Sequence, residues 1–458
     1  MAETTAPTLS GLSVPQQQGR LVSLDVFRGI TIAGMILVNN PGSGSHVYAP
    51  LRHADWNGWT PTDLVFPFFV FIVGVAMTFS FDRRIAQGAG RPALFGQVVR
   101  RTIILFVLGL ILNGYLTCFP AWDALAKPSG WKIMGPFVAV IVGLALMFAD
   151  RGPFCWPRGT WPQMRMVAGW LLTIGAIATF ATCFDAFKES RIRVPGVLQR
   201  IALCYFFSSI IVMYSGVRGR AIWTAVLVVG YWALLRYASP PGDFRAELLP
   251  PDRPEGLLHE WVDLRMFRLG NHLYGERPDP EGVLSTIPAI ATCLLGVLAG
   301  NWLHSSRDKR DTAAGLFLAA SAAIAVGYFM NYSVPINKKI WTSSYVLFTG
   351  GLALQSLAVS FWLVDVKRYR RWAWPFLVFG TNAIAVYFVS GIFGRLMMTY
   401  KWHLADGSEI SLRTWLYQTI FASWAGPFNA SLLWAITYVL LWLLLTAPLY
   451  RRRIFIKV

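Results

Sequence analysis

Charge is scarce in this chain. Of its 458 residues only 14% are Asp, Glu, Lys or Arg, against about 25% in an ordinary soluble domain. With 55% hydrophobic residues and a mean hydropathy of +0.48, such a chain could not cover its surface in water. Cysteine is scarce too. The five present show no CxxC or Cys/His spacing, so neither a metal site nor a disulfide framework is expected. Cys118 and Cys183 could meet near one membrane face, or be two unrelated cysteines of apolar helices. Acidic residues number 23 against 41 Lys and Arg, a formal net charge of +18. That excess sits in short blocks between apolar runs rather than on one domain face. Such blocks are topogenic signals of a membrane protein, and no nucleic-acid partner is expected. No internal repeat of fixed period is visible, which disfavours an inverted-repeat transporter. Residues 1–20 are polar and have no apolar core, so no signal peptide is expected there and the first helix is expected to serve as its own insertion signal.

What the chain does have is long apolar runs. Stretches of about 20 residues, enough for a helix to cross the hydrocarbon core, are expected at 29–48, 61–81, 99–117, 132–149, 167–184, 197–215, 220–238, 284–303, 312–331, 341–364, 374–397 and 429–449. Residues 413–425 are too short to span and are expected to lie at an interface. The runs lack the in/out alternation of barrel strands. The expected fold is therefore an all-α polytopic membrane protein, a bundle of about 10–12 transmembrane helices. The basic blocks 83–101, 151–165, 218–220, 307–310, 367–371 and 451–457 all fall on one side. By the positive-inside rule both termini are then cytoplasmic. The longest extramembrane piece, 239–283, suits a lid over a polar ligand or a plain solvated connector.

Polar residues inside apolar spans are the informative ones, because each is costly unless partnered. Asp25 and Arg28 share a helix face, either as a simple ion pair or with Arg28 free to meet a phosphate. Asn39-Asn40-Pro41 closes the first helix. Thr60 is placed to cap the second, with Pro61 at its first position and Asp63 one turn in. Pro67 removes a backbone bond from that helix. His53 stands between them beside the Trp56-Asn57-Gly58-Trp59 turn. Alone it could be an ordinary surface histidine or a general base, since imidazole accepts a proton near neutrality. Further polar knots hold Gln199 and Arg200, Glu281, Asn337 and Lys338, and Asn382. Together they gather on the outward half of the bundle, as a site between helices requires.

The segments LDVFRGITIAGMILVNN, RHADWNGWTPTDLVFPFFVFIVG, RVPGVLQRIALCYF, PEGVLSTIPAI, PINKKIWTSSYVL and FGTNAIAVYF, in this order within residues 21–390, resemble the heparan-α-glucosaminide N-acetyltransferase family of the transmembrane acyltransferase superfamily. The resemblance implies a multi-pass enzyme, here of a bacterial inner membrane. It would carry an acetyl group from cytosolic acetyl-CoA to an amino sugar or envelope glycan on the far side. It maps the family's functional histidine to His53, its helix-end asparagine to Asn39, its DLVFP aspartate to Asp63, and its FRG and LQR arginines to Arg28 and Arg200. His53 is then expected as general base, Asn39 as donor to the developing oxyanion and Asp63 as orienter of the imidazole. An alternative in which His53 carries the acetyl group transiently stays open.

Donor-binding residues are expected to be Arg28, Arg100, Arg101, Arg200 and Asn382. Acceptor-binding residues are expected to be Trp56, Asn57, Asp263, His272, Glu281, Asn337, Lys338 and Trp341. The organisation expected is a polar segment 1–20, signature helices over 21–117 with the loop 39–63, and an inserted hairpin 118–185 relative to the family. The family core then resumes over 186–397, followed by a C-terminal part 398–458. Membrane lipids are expected partners, and homodimerisation is left open. A permease for an N-acetylglucosamine-type sugar, using His53 and Asp63 as a proton-coupling pair, is the competing expectation.

Overall fold

The computed structural model describes residues 21–118, 193–238, 257–267, 278–404 and 407–456, with the isolated positions 170 and 174. The expected hairpin of 118–185, most of the 239–283 segment and His272 lie outside the described residues.

Helices dominate, as the long apolar runs require. They are α1 (Val22–Asn39), α2 (Pro61–Ala86), α3 (Arg91–Cys118), α4 (Val197–Tyr214), α5 (Val217–Tyr237), α6 (Leu258–Met266), α7 (Thr286–Leu303), α8 (Lys309–Met330), α9 (Ser343–Phe361), α10 (Trp374–Thr381), α11 (Ala383–Thr399), α12 (Leu412–Tyr417) and α13 (Pro427–Arg451). Among the described residues, eight helices are long and apolar enough to cross a membrane, or nine if the bent pair α10–α11 is one span. The protein is thus an all-α polytopic membrane protein.

The structure differs from expectation in several places, α3 beginning at Arg91 rather than 99 and α2 running on to Ala86 rather than 81. The first helix starts at Val22 and ends at Asn39, not 29–48. Asp25 and Arg28 neutralise one another inside it at 3.1 Å, so neither needs to stay outside the apolar run, and Pro41 prevents extension. The run 374–397 is broken at Asn382, where α10 and α11 diverge by 73°. Between Lys401 and Ser411 the chain forms an antiparallel pair, β1 (Lys401–His403) with β2 (Glu409–Ser411). That pair was not anticipated from three-residue strands.

Successive helices alternate in direction, so one end of the bundle gathers the loop 40–60, the strap 331–342, α6 and the β-pair. The basic turns at 83–91, 218–220, 307–310 and 367–371, with the tail after Arg451, collect at the other end. Two crossings fix this arrangement. A Cβ placed on Gly74 would strike the Cys293 carbonyl, and one on Gly296 would strike the Phe71 carbonyl, so α2 and α7 touch backbone to backbone. Gly29 and Gly380 do the same for α1 and α10, against Phe376 and Asp25. In lipid there is no hydrophobic drive between helices, and close packing of small residues replaces it. Gly296→Val is therefore expected to cost about 1–3 kcal/mol or more, since the obstacle is a carbonyl and not a flexible side chain. A lower melting temperature in detergent, relative to a surface control such as Gly216→Ala, checks this.

Candidate active site

The site is built on the N-terminus of α2. Thr60 caps it and Pro61 occupies the first position, where a missing N–H costs nothing. Asp63 is one turn in and only 1% exposed. Its Oδ2 accepts from the backbone N–H of Ala54 and of Thr60, both at 3.0 Å, and from the Thr60 hydroxyl at 3.1 Å. Its Oδ1 is 2.6 Å from Nδ1 of His53. The loop 51–60 is thus wound around one buried carboxylate. Gly58 completes the winding at φ +100°, a conformation side chains other than glycine rarely adopt. There it donates its N–H to the Ile336 carbonyl at 2.7 Å.

Pro67 explains a further tether. Its missing N–H leaves the Asp63 carbonyl, four residues earlier, without a helical partner. The Tyr345 hydroxyl of α9 donates to that carbonyl at 2.6 Å. Asp63 is therefore held through both its side chain and its main chain. Tyr345 was not singled out by sequence, although the orphaned carbonyl announced that some donor was needed.

The strap Pro335–Thr342 supplies the opposite wall. It closes on itself through Asn337 N–H to the Thr342 hydroxyl at 3.0 Å and the Thr342 hydroxyl to the Pro335 carbonyl at 2.9 Å. Trp341 turns it with φ +53°. A non-glycine residue held there costs of order 1–2 kcal/mol, and Trp341 is fixed by complete burial and an indole bond to Thr292 at 3.1 Å. The Asn337 amide donates to Asn57 at 3.1 Å. Lys338 then reaches Asp63 Oδ1 at 3.4 Å and lies 2.9 and 3.4 Å from the two ring nitrogens of His53. Burial holds the Lys338 ammonium below the ordinary lysine value, against the opposite pull of Asp63 and Glu281. The His53 side chain, by contrast, is 52% exposed.

A second polar layer lies behind the strap. Arg193 grips Asp279 through two bonds, at 2.6 and 3.2 Å, and also contacts Glu281, which pushes its guanidinium further up. Arg200 is 1% exposed. It donates to the Gly282 carbonyl at 3.0 Å and to Ser285, and faces the Trp341 ring at 5.1 Å. Its Nε and Nη1 have no partner among the described residues. Asp263 on α6 accepts from Val283 N–H at 2.9 Å. Burial, with Asp279 nearby, raises its carboxyl to about 6. Tyr231 lies between His259 and the Ile340 carbonyl, and burial pushes His259 down to about 3.

The expected residues thus fall into separate groups. His53, Asp63, Asn57, Asn337, Lys338 and Trp341 come together, with Glu281 and Asp263 in the layer behind; Trp56 sits half-buried in the same loop. Arg200 stands with this group and not with the other expected donor-binding arginines. Arg28, paired with Asp25 and 3.3 Å from the Gly380 carbonyl, lies toward the far end, as do half-buried Arg100 and Arg101. Arg101 stacks on Tyr205 at 4.8 Å. Asn39 ends α1 with its side chain exposed. Asn382 has its amide occupied by the C-terminal tail, donating to the Ile454 carbonyl at 3.1 Å and accepting from Ile456 N–H at 2.7 Å. Arg193, Asp279 and Tyr231 were missed, because nothing local marks a loop arginine or a helical tyrosine as a partner for groups so distant in sequence.

Residues 20–121, which carry His53 and Asp63, match the family described as heparan-alpha-glucosaminide N-acetyltransferase, catalytic. The chain is 27% identical to the human protein named heparan-alpha-glucosaminide N-acetyltransferase over 489 aligned positions, and 27% identical to its mouse counterpart over 472. Each alignment takes in 96% of this chain. Over residues 20–121 the chain thus resembles that family's catalytic region, and over nearly its whole length it is similar to these two proteins. It spans 60% of the length of both relatives. The matched segment ends at residue 121, just past α3, so the Lys338 strap and the Arg193–Asp279 layer come from outside it.

Proposed function

We propose that this protein is a transmembrane acetyltransferase that passes an acetyl group from acetyl-CoA to the amine of an amino sugar, with His53 as general base. The observation that carries this reading is the His53–Asp63 pair. A half-exposed imidazole is bound through Nδ1 to a buried, fully satisfied carboxylate. That arrangement leaves Nε2 directed away with its lone pair.

In the proposed reaction the acceptor nitrogen attacks the thioester carbonyl, and His53 Nε2 takes the proton it loses. The tetrahedral intermediate collapses by breaking the C–S bond, and the thiolate leaves as the free thiol after taking up a proton. Asn39 is proposed as donor to the oxyanion, and the layer of Asp263, Glu281 and Arg200 as the acceptor's surroundings. Arg28, Arg100 and Arg101, at the other end, are proposed to meet the phosphates of the donor. With the basic turns placed inside by charge, the donor is cytosolic and the sugar is met on the outer face of a bacterial inner membrane.

The test is free-thiol release from acetyl-CoA by the purified protein, with and without glucosamine, alongside mass detection of the acetylated sugar. Sugar-dependent thiol release is expected. Sugar uptake into proteoliposomes without any thiol release would instead mark a permease.

A further inference from the structure

We propose that Lys338 is the positioning residue of the base, its ammonium lying over the face of the His53 ring and leaving the in-plane Nδ1–H turned to Asp63. The proposal rests on the acetyl-transfer reading of the same site. Nζ of Lys338 is 2.9 Å from Nδ1 and 3.4 Å from Nε2. The lone pair or N–H of each ring nitrogen points outward in the ring plane. A partner in line with one nitrogen must therefore stand far from the other. Two short, similar distances place Nζ above the ring face, along neither lone pair.

Two consequences follow from that placement. The in-plane direction of Nδ1 is left to Asp63 Oδ1 at 2.6 Å. Lys338, which has donors only, does not compete for it. The tautomer is thereby set with the proton on Nδ1 and the lone pair on Nε2, the one a general base requires. A cation over the face of a neutral ring is also tolerated, whereas the same cation against an imidazolium meets a like charge, which favours loss of the added proton.

The side chain of Lys338 is held for this task. It is 18% exposed and bound to Asp63 at 3.4 Å, and its carbonyl accepts from Trp341 N–H at 3.2 Å. The charged groups around the pair are few. Asp63 faces His53 from α2 and Lys338 from the strap, while Glu281 and Arg200 act on Lys338 from behind. Arg52 and Asp55 on the loop of His53 itself are exposed.

The experiment compares Lys338→Met and Lys338→Arg with the parent by two measurements. One is the pH profile of kcat/KM for acetyl transfer. The other is titration of the His53 resonance in protein labelled with 15N-histidine, assigned by its loss in His53→Ala. Removing the cation raises the ring's affinity for a proton. In Lys338→Met the titration midpoint and the acid limb of the profile are therefore both expected to move to higher pH by about one unit or more. Lys338→Arg keeps the charge and is expected to stay near the parent. An unmoved midpoint, with activity lowered evenly at every pH, would overturn the proposal. If the parent released no thiol, the acetyl-transfer reading would fail, while the resonance titration would still decide the placement of Lys338.

Discussion

His53→Ala is expected to lower acetyl transfer by about 10²–10⁴-fold, the usual contribution of a positioned general base, while the protein melts close to the parent temperature. The two halves of this expectation have separate causes. The imidazole is 52% exposed, so its removal strips little packing from the bundle. Asp63 keeps its bonds from Ala54 and Thr60 and its contact with Lys338, so no buried charge is orphaned. Acetyl-CoA binding, followed by calorimetry on the variant, is expected to persist, because the proposed phosphate-binding arginines lie toward the other end. Full transfer activity in a folded His53→Ala variant would remove the base assignment altogether.

Asp63→Asn is expected to be worse in both respects. A carboxamide in place of the carboxylate turns an NH₂ either toward His53 Nδ1 or toward the N–H groups of Ala54 and Thr60. If it faces His53, the ring must adopt the opposite tautomer, with its proton on Nε2. Losses of about 10³–10⁴-fold accompany that inversion in other base–carboxylate pairs. Lys338 also loses its anion, and breaking one side of a buried pair costs about 3–5 kcal/mol. The stability and activity effects can be separated. Asp63→Asn combined with Lys338→Met leaves no unpaired buried charge, so the double variant is expected to recover much of the melting temperature and none of the transfer. Thermal melts and thiol release on the single and double variants measure this directly.

The sequence made the helical plan legible because its signals are local. Runs of apolar residues mark the spans, and Thr60-Pro61 marks the start of α2 to the residue. His53 and Asp63 were legible as a pair because they flank one short loop, ten positions apart. Lys338 was legible as a rim residue expected to bind the acceptor, not as a neighbour of the His53 ring. Its contact with His53 joins positions 285 apart, and no periodicity encodes such a meeting. The break at Asn382 was hidden for another reason. The segment FGTNAIAVYF is apolar on both sides and holds no proline, so hydropathy alone reads one continuous span. Arg28 shows the opposite failure. The charge was noticed, but its pairing with Asp25 allowed the helix to begin at Val22, earlier than uncompensated charges would permit.

The tether from Tyr345 to the Asp63 carbonyl closes a loop of 282 positions, and this sets an order of events during synthesis. The first hairpin, with His53 and Asp63, leaves the ribosome long before α9 and the Lys338 strap. At about 5–20 residues per second, the carboxylate waits on the order of 15–60 seconds for its lysine and its tyrosine. Until then the newborn hairpin carries a buried acid without its cation and a proline-freed carbonyl without its donor. The site is thus incomplete through most of the chain's own translation, and the groups around Asp63 are assembled only once nearly three-quarters of the chain has been made.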